Sequence, residues 1–168
     1  MKFLEFAKER YSIRGFSDTP VEQEKIDVIL EAARIAPTAA NQQPQRILVI
    51  KGSDAIAKFD NCSPCRYGAP LVFVVGYEST RVIQRMDKGE SSGQVDAAIV
   101  TTHMMLEAHE LGLSSVWVMM FDMDKLREEF GIPESIVPVA ALMTGYAPAD
   151  AEPHPFHNDK KPIEEFLI

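Results

Sequence analysis

Residues 93–111 read GQVDAAIVTTHMMLEAHEL. At helical spacing, Val95, Ala97, Ala98, Ile99, Val100, Met104, Met105, Leu106, Ala108 and Leu111 cover nearly the whole circumference of one long helix. A helix that is apolar all round needs cover on every side. Packing within one chain and packing between two subunits both supply it. Gly112 ends this helix. Beyond it, Val116-Trp117-Val118-Met119-Met120 and Pro138-Val139-Ala140-Ala141-Leu142-Met143 are short apolar runs of strand type. Before it lie two more, Arg46–Ile50 and Pro70–Val75, the second continuous enough for a strand buried on both faces.

Helices fill the intervals. Residues 2–11 place Phe3, Leu4, Phe6 and Ala7 on one side. Thr19-Pro20-Val21-Glu22 reads as a helix start with a capping box, followed by Ile26, Ile29, Leu30 and Ala33 at helical spacing as far as Arg34. Ser53 opens a short helix, and Asp122 caps another that runs to Phe130 and stops at Gly131. Residues 78–92 are polar and read as a loop or partly ordered lid. The tail from Tyr146 carries Pro148, Pro153, Pro155 and Pro162 and should run extended over a surface. The expected fold class is α+β: an α/β sandwich with a central mixed sheet flanked by helices, in one domain over residues 1–168. It is not doubly wound, because no strand leads into a glycine-rich phosphate turn.

Composition narrows the function classes. Apolar residues make up 46% and charged residues 25%, as in ordinary globular proteins. The net charge is −8, and residues 107–168 hold 12 acidic and 4 basic side chains. A nucleic-acid binder would show a basic face, so nucleic acid is not an expected partner. No apolar run approaches the roughly 20 residues of a membrane span. The N-terminal apolar stretch is broken by Glu5 and Lys8 and lacks a signal-peptide layout, so a cytoplasmic location is expected.

Two segments carry the chemistry. Arg10-Tyr11-Ser12-Ile13-Arg14-Gly15-Phe16 is extended, so Arg10, Ser12 and Arg14 share one face. Two guanidiniums flanking a hydroxyl suit a phosphate, which arginine grips bidentately. A basic strand paired with Glu9 and Asp18 is the plainer reading. Ala36-Pro37-Thr38-Ala39-Ala40-Asn41-Gln42-Gln43-Pro44 is a small-residue loop ending in amides, where a flat ring could approach the backbone and Asn41 could both donate and accept.

RYSIRGF and APTAANQQP together resemble the FMN-dependent nitroreductase family. Three later segments agree with that resemblance: Ala108–Val118, Leu142–Pro148 and Lys160–Glu165. The resemblance implies a homodimeric FMN enzyme with residues 93–111 buried in the interface. It implies ping-pong hydride transfer from NAD(P)H through flavin N5 to a flat acceptor such as a nitroaromatic or quinone. No protein acid or base is nominated, since the flavin carries the chemistry. Other flavin chemistry on the same fold (reductive dehalogenation or flavin breakdown) and flavin binding without turnover are the alternatives.

By the same resemblance, Arg10, Tyr11, Ser12 and Arg14 hold the phosphate and ribityl end of FMN. Pro37, Thr38, Ala39 and Asn41 reach the partner's flavin, Trp117, Val118 and Met119 lie beside the ring, and Lys160 or Lys161 meets the phosphate, with Lys160 preferred. The chain departs from the family's pattern at Thr38, Gln45 and Ser114, where serine, tryptophan and glycine are usual.

Two further patterns stand apart. Cys62-Ser63-Pro64-Cys65 is a CxxC, read as incidental thiols, a redox dithiol or half of a zinc site. His154-Pro155-Phe156-His157 is an HxxH. No metal is assigned to either. His103, on the long helix, is expected to be a satisfied core histidine.

Overall fold

A computed structural model describes residues 2–84, 86, 89 and 91–168. Four strands form one sheet in the order β1-β2-β4-β3, with β1 at Gln45–Lys51, β2 at Leu71–Glu78, β3 at Ser114–Val118 and β4 at Ile136–Gly145. All three strand pairs are antiparallel. The mixed character expected of the sheet reduces to one parallel bridge between Ser12 and Ser115, supported by Ile13 N–H donating to the Ser115 carbonyl at 3.3 Å. The RYSIRGF segment therefore lies along the free edge of β3.

The continuous apolar run of β2 reflects burial on both faces. Leu71, Phe73, Val75 and Tyr77 join a core with Ile26, Ile29, Val100 and Met104 from α2 (Gln23–Ile35) and α4 (Gly93–Glu110). Val72 and Val74, on the opposite face, join Phe59, Val116, Leu126 and Met143, with α3 (Ser53–Cys62) and α5 (Met123–Phe130) as cover. Pro138 enters β4 opposite Gly76, where the register shifts between Val75 and Gly76. A bulge accommodates a residue that cannot donate to the ladder. A side chain at position 76 would strike the Val137 carbonyl, so glycine is required there.

The ends of two helices follow local signals. Asp122 accepts from the backbone of Asp124 and Lys125 at 3.0 and 3.1 Å, and Gly131 closes α5 with φ 63°. Leu113 N–H donates to the Ala108 carbonyl at 2.8 Å across left-handed Gly112 and ends α4. The start of α2 does not follow its local signal. The helix begins at Gln23, and neither Thr19 nor Glu22 caps it. The Glu22 carboxylate instead accepts from the Tyr146 hydroxyl at 2.7 and 2.9 Å, and Lys25 donates to Tyr146 and to the Leu111 carbonyl. A tertiary network has displaced the capping box.

α4 is not buried all round within the chain. Gly93, Ala97, Val100, Thr101, Met104 and Ala108 form its buried stripe. The opposite side holds Val95, 59% exposed, and a hollow of about 540 Å³ lined by Gln94, Val95, Ala98, Ile99, Thr102 and His103. His103 thus lies on the open face and not in the core, with Nδ1 2.9 Å from the Ile99 carbonyl. Thr102 hydroxyl donates to the Ala98 carbonyl in the same way, so both side chains turn back onto the helix backbone. α1 (Phe3–Glu9) buries no residue, and Phe3 and Leu4 stand exposed. The tail is mostly extended, with short 3₁₀ turns at Pro155–His157 and Ile163–Phe166. Within the region expected to be a lid, β2 extends to Glu78 and Gln84 bridges Ser91. Arg85, Asp87, Lys88 and Glu90 of that region lie outside the described residues.

Candidate functional site

The edge segment and the returning tail enclose a cavity of about 450 Å³. Arg10, Tyr11, Ser12 and Arg14 form one wall, and His154, Phe156, His157 and Lys160 form the other. Extended backbone accounts for the first wall, since positions 10, 12 and 14 share a side. Side-chain and backbone contacts hold the second. His157 Nε2 lies 2.9 Å from the Lys8 carbonyl, and the Tyr11 hydroxyl donates to the Ala151 carbonyl at 3.4 Å. The Tyr11 and His157 rings meet edge-on at 6.0 Å.

The electrostatics of this cavity are one-sided. Its described lining holds three obligate cations and two imidazoles, with no carboxylate. Arg10 Nη1 is buried and has no hydrogen-bond partner. Burial lowers the Arg10 pKa from its ordinary value, yet a guanidinium does not give up its proton in a protein. An unpartnered buried donor is costly, and more so when charged. An anion with several acceptor oxygens would relieve that cost, and a phosphate fits the donor set of Arg10, Ser12, Arg14 and Lys160. His109 on α4 neighbours Arg10. Burial lowers its pKa, the Arg10 charge adds to that, and its ring packs on Phe6 at 4.9 Å. Lys161 does not join the cavity: its ammonium pairs with Glu165 at 2.9 Å.

The Pro37–Gln43 loop lies outside this cavity, so Pro37, Thr38, Ala39 and Asn41 are not brought to Arg10 within one chain. It is nonetheless a built loop. Ala40, Asn41 and Gln43 all have positive φ, of 47°, 54° and 48°. Such conformations persist in non-glycine residues only where the surroundings impose them, and they gather at functional sites. Here Thr38 Oγ1 accepts from Gln43 N–H at 3.0 Å, and Asp96 accepts from Ala39 N–H at 2.8 Å. Asp96 is 2% exposed and also takes the Ser92 hydroxyl at 2.8 Å. The loop is thereby pinned to the first turn of α4, with Asn41 facing solvent. The sequence reading missed Asp96; its signal was a lone carboxylate among apolar helix positions.

β3 ends at Val118, two residues earlier than its apolar run. Trp117 is half-buried and pairs with Leu142, Val118 is buried, and Met119 emerges 68% exposed beyond the strand. None of the three lines the cationic cavity. Cys62 and Cys65 are free thiols. Cys62 is buried, donates to the Lys58 carbonyl at 3.3 Å, and has its pKa raised by that burial. His154 and His157, to which no metal was assigned, line the cavity. Among the described residues no group of three His, Cys, Asp or Glu is spaced to hold a metal ion.

Comparison with known proteins bears on this arrangement. The sequence pattern of the nitroreductase family matches residues 7–65 and 62–146. A protein of Methanothermobacter thermautotrophicus, provisionally named an NADH dehydrogenase/NAD(P)H nitroreductase, is 31% identical over 87% of this chain and 78% of its own length. The crystal structure of a nitroreductase family protein from Clostridium difficile 630 superposes with a TM-score of 0.92 at 41% identity, covering 100% of this chain and 98% of that one. An FMN-dependent nitroreductase from C. difficile R20291 superposes at 0.77 with 25% identity, covering 90% and 91%.

Proposed function

Because the chain belongs to the nitroreductase family, we propose that it is an FMN-dependent NAD(P)H oxidoreductase, a single domain that works as a homodimer in the cytoplasm. The observation that carries this reading is the cationic cavity with its unpartnered buried Arg10 Nη1. When bound, FMN supplies hydride transfer between NAD(P)H and a flat acceptor such as a quinone or nitroaromatic. The chain's own residues bind and orient. Arg10, Arg14 and Lys160 offer charge-assisted donors to the phosphate, Ser12 adds a hydroxyl, and Tyr11 packs the tail against this end.

Pro37, Thr38, Ala39 and Asn41 serve the flavin of the partner subunit, which accounts for a constrained loop lying away from its own chain's cavity. Trp117, Val118 and Met119 border the ring. The open apolar face of α4, with Val95, Ala98 and Ile99, meets its counterpart in the dimer. No described helix is long and apolar enough to cross a membrane, and unpaired thiols suit a reducing compartment.

Steady-state kinetics test the order of events. With FMN-loaded protein and a quinone as acceptor, varying NAD(P)H at several quinone concentrations should give parallel double-reciprocal lines, because one pocket serves both reactants in turn. Intersecting lines would contradict alternate occupancy. An absence of NAD(P)H oxidation with any acceptor would favour flavin binding without turnover.

A further inference from the structure

The proline-rich tail that forms the second wall of the cationic cavity hangs on one side chain. From Glu152 to Ile168 every residue is exposed except His157, which is half-buried. Its ring meets Tyr11 edge-on at 6.0 Å, and its Nε2 lies 2.9 Å from the Lys8 carbonyl. A carbonyl only accepts, so Nε2 carries the proton and donates. Beyond Ala151, among the described residues, this is the one hydrogen bond or ion pair that ties the tail to the rest of the chain. The neighbouring bonds are local. His157 N–H donates to the His154 carbonyl at 2.7 Å, Phe156 N–H to His154 Nδ1 at 3.3 Å, and Asp159 N–H to the Phe156 carbonyl at 3.3 Å. Residues 154–159 therefore form one turn, and Pro153 and Pro155 stiffen its approach. Lys160 follows directly and lines the cavity.

The bond from His157 reaches the end of α1. The Lys8 carbonyl is one of the last four of that helix, which have no partner within it, and an imidazole N–H there acts as a cap. Two residues on, Arg10 opens the first wall. Lys160 is exposed and makes no ion pair among those of the described residues. Without an anion, its ammonium has no electrostatic reason to face Arg10 and Arg14, since like charges repel. We propose that His157 is a positioning residue: it latches the tail to the end of α1 and so holds Lys160 opposite Arg10 and Arg14, ready for the phosphate end of the cofactor. This rests on the reading of that cavity as the FMN phosphate site. The choice of anchor suits the task. A bond to a backbone carbonyl fixes the wall without bringing a carboxylate into the cavity, so the cations keep their charge for an incoming anion. Ordering the tail before the ligand arrives also removes part of the cost of binding.

The test compares FMN with riboflavin, which has the same ring and ribityl chain and no phosphate. Flavin fluorescence titrations of full-length apo-protein would be made for wild type, H157A, H157Q, K160A and the H157A/K160A double variant. H157A is expected to weaken FMN binding by about tenfold, the scale of one lost charge-assisted contact, and to leave riboflavin affinity unchanged. H157Q keeps an N–H donor and should retain most of the FMN affinity. In the K160A background, H157A should add little. Without flavin, trypsin should cut H157A after Lys160 faster than wild type, which reads the latch itself. Unchanged FMN affinity in H157A, equal weakening of both flavins, full additivity with K160A, or cleavage no faster than wild type would each overturn the proposal. Wild-type protein that binds riboflavin and FMN equally well would instead remove the phosphate-site reading, and the proposal with it, whatever the cleavage rates.

Discussion

Replacing Arg14 by alanine is expected to raise the FMN dissociation constant by roughly 10- to 100-fold while leaving the apo-protein's melting temperature almost unchanged. Both halves follow from its position. Arg14 is exposed and makes no described ion pair, so the folded chain loses little when it goes. Its guanidinium nevertheless lines the cavity with Arg10, Ser12 and Lys160, where a phosphate would take charge-assisted bonds. Ligand at about 100 times its dissociation constant adds roughly 2.7 kcal/mol. For a chain of this size that corresponds to about 5–10 °C. Wild type should show that gain with FMN in a thermal melt, and R14A only a small part of it. Equal gains would remove Arg14 from the site. Arg10 is the less clean probe, because it is half-buried and borders His109 and α1.

Val95→Asp is expected to convert a dimer to a monomer and to lower flavin affinity with it. Val95 is 59% exposed within one chain, so an aspartate there is solvated in the isolated subunit. Buried in a subunit interface, the same carboxylate would have no partner, at a cost of several kcal/mol. That is roughly a 100-fold or greater loss in dimer affinity per few kcal/mol. The extent of unpartnered apolar surface supports such an interface. Besides the α4 face, Phe3, Leu4, Ile35, Ile163, Phe166, Leu167 and Ile168 are all exposed, apolar side chains that a subunit interface would cover. Sedimentation velocity would report the assembly state, and fluorescence titration the FMN affinity. A V95D protein that stays dimeric would contradict the interface. A monomeric one with full FMN affinity would contradict a site shared between subunits.

What the sequence made legible was what local chemistry decides. Asp122 and Gly131 bound α5 because a carboxylate and a glycine satisfy helix ends without outside help. The unbroken run Leu71–Val75 announced a strand covered on both faces. The alternation of Arg10, Ser12 and Arg14 put three donors on one wall, and Lys160, named from the family resemblance, lines the facing one. Errors arose where distant residues intervene. Glu22 looked like half of a capping box, but Tyr146, 124 residues away, takes its carboxylate. The all-round apolar helix did not itself tell cover by one chain from cover by two, and a single chain covers one stripe and leaves the face at Val95, Ala98 and Ile99 open. His154 and His157 were left without a role because nothing local revealed that the tail returns to Lys8. Asp96 drew no attention at all, since it acts on a loop remote in sequence.

The most direct measurement is the visible absorbance of the purified protein after incubation with FMN and removal of free flavin, recorded before and after NAD(P)H is added without oxygen. A bound flavin spectrum that bleaches on addition of NAD(P)H is the expected result. Failure to retain FMN would contradict the assignment of Arg10, Ser12, Arg14 and Lys160, and retained flavin that does not bleach would contradict NAD(P)H as the reductant.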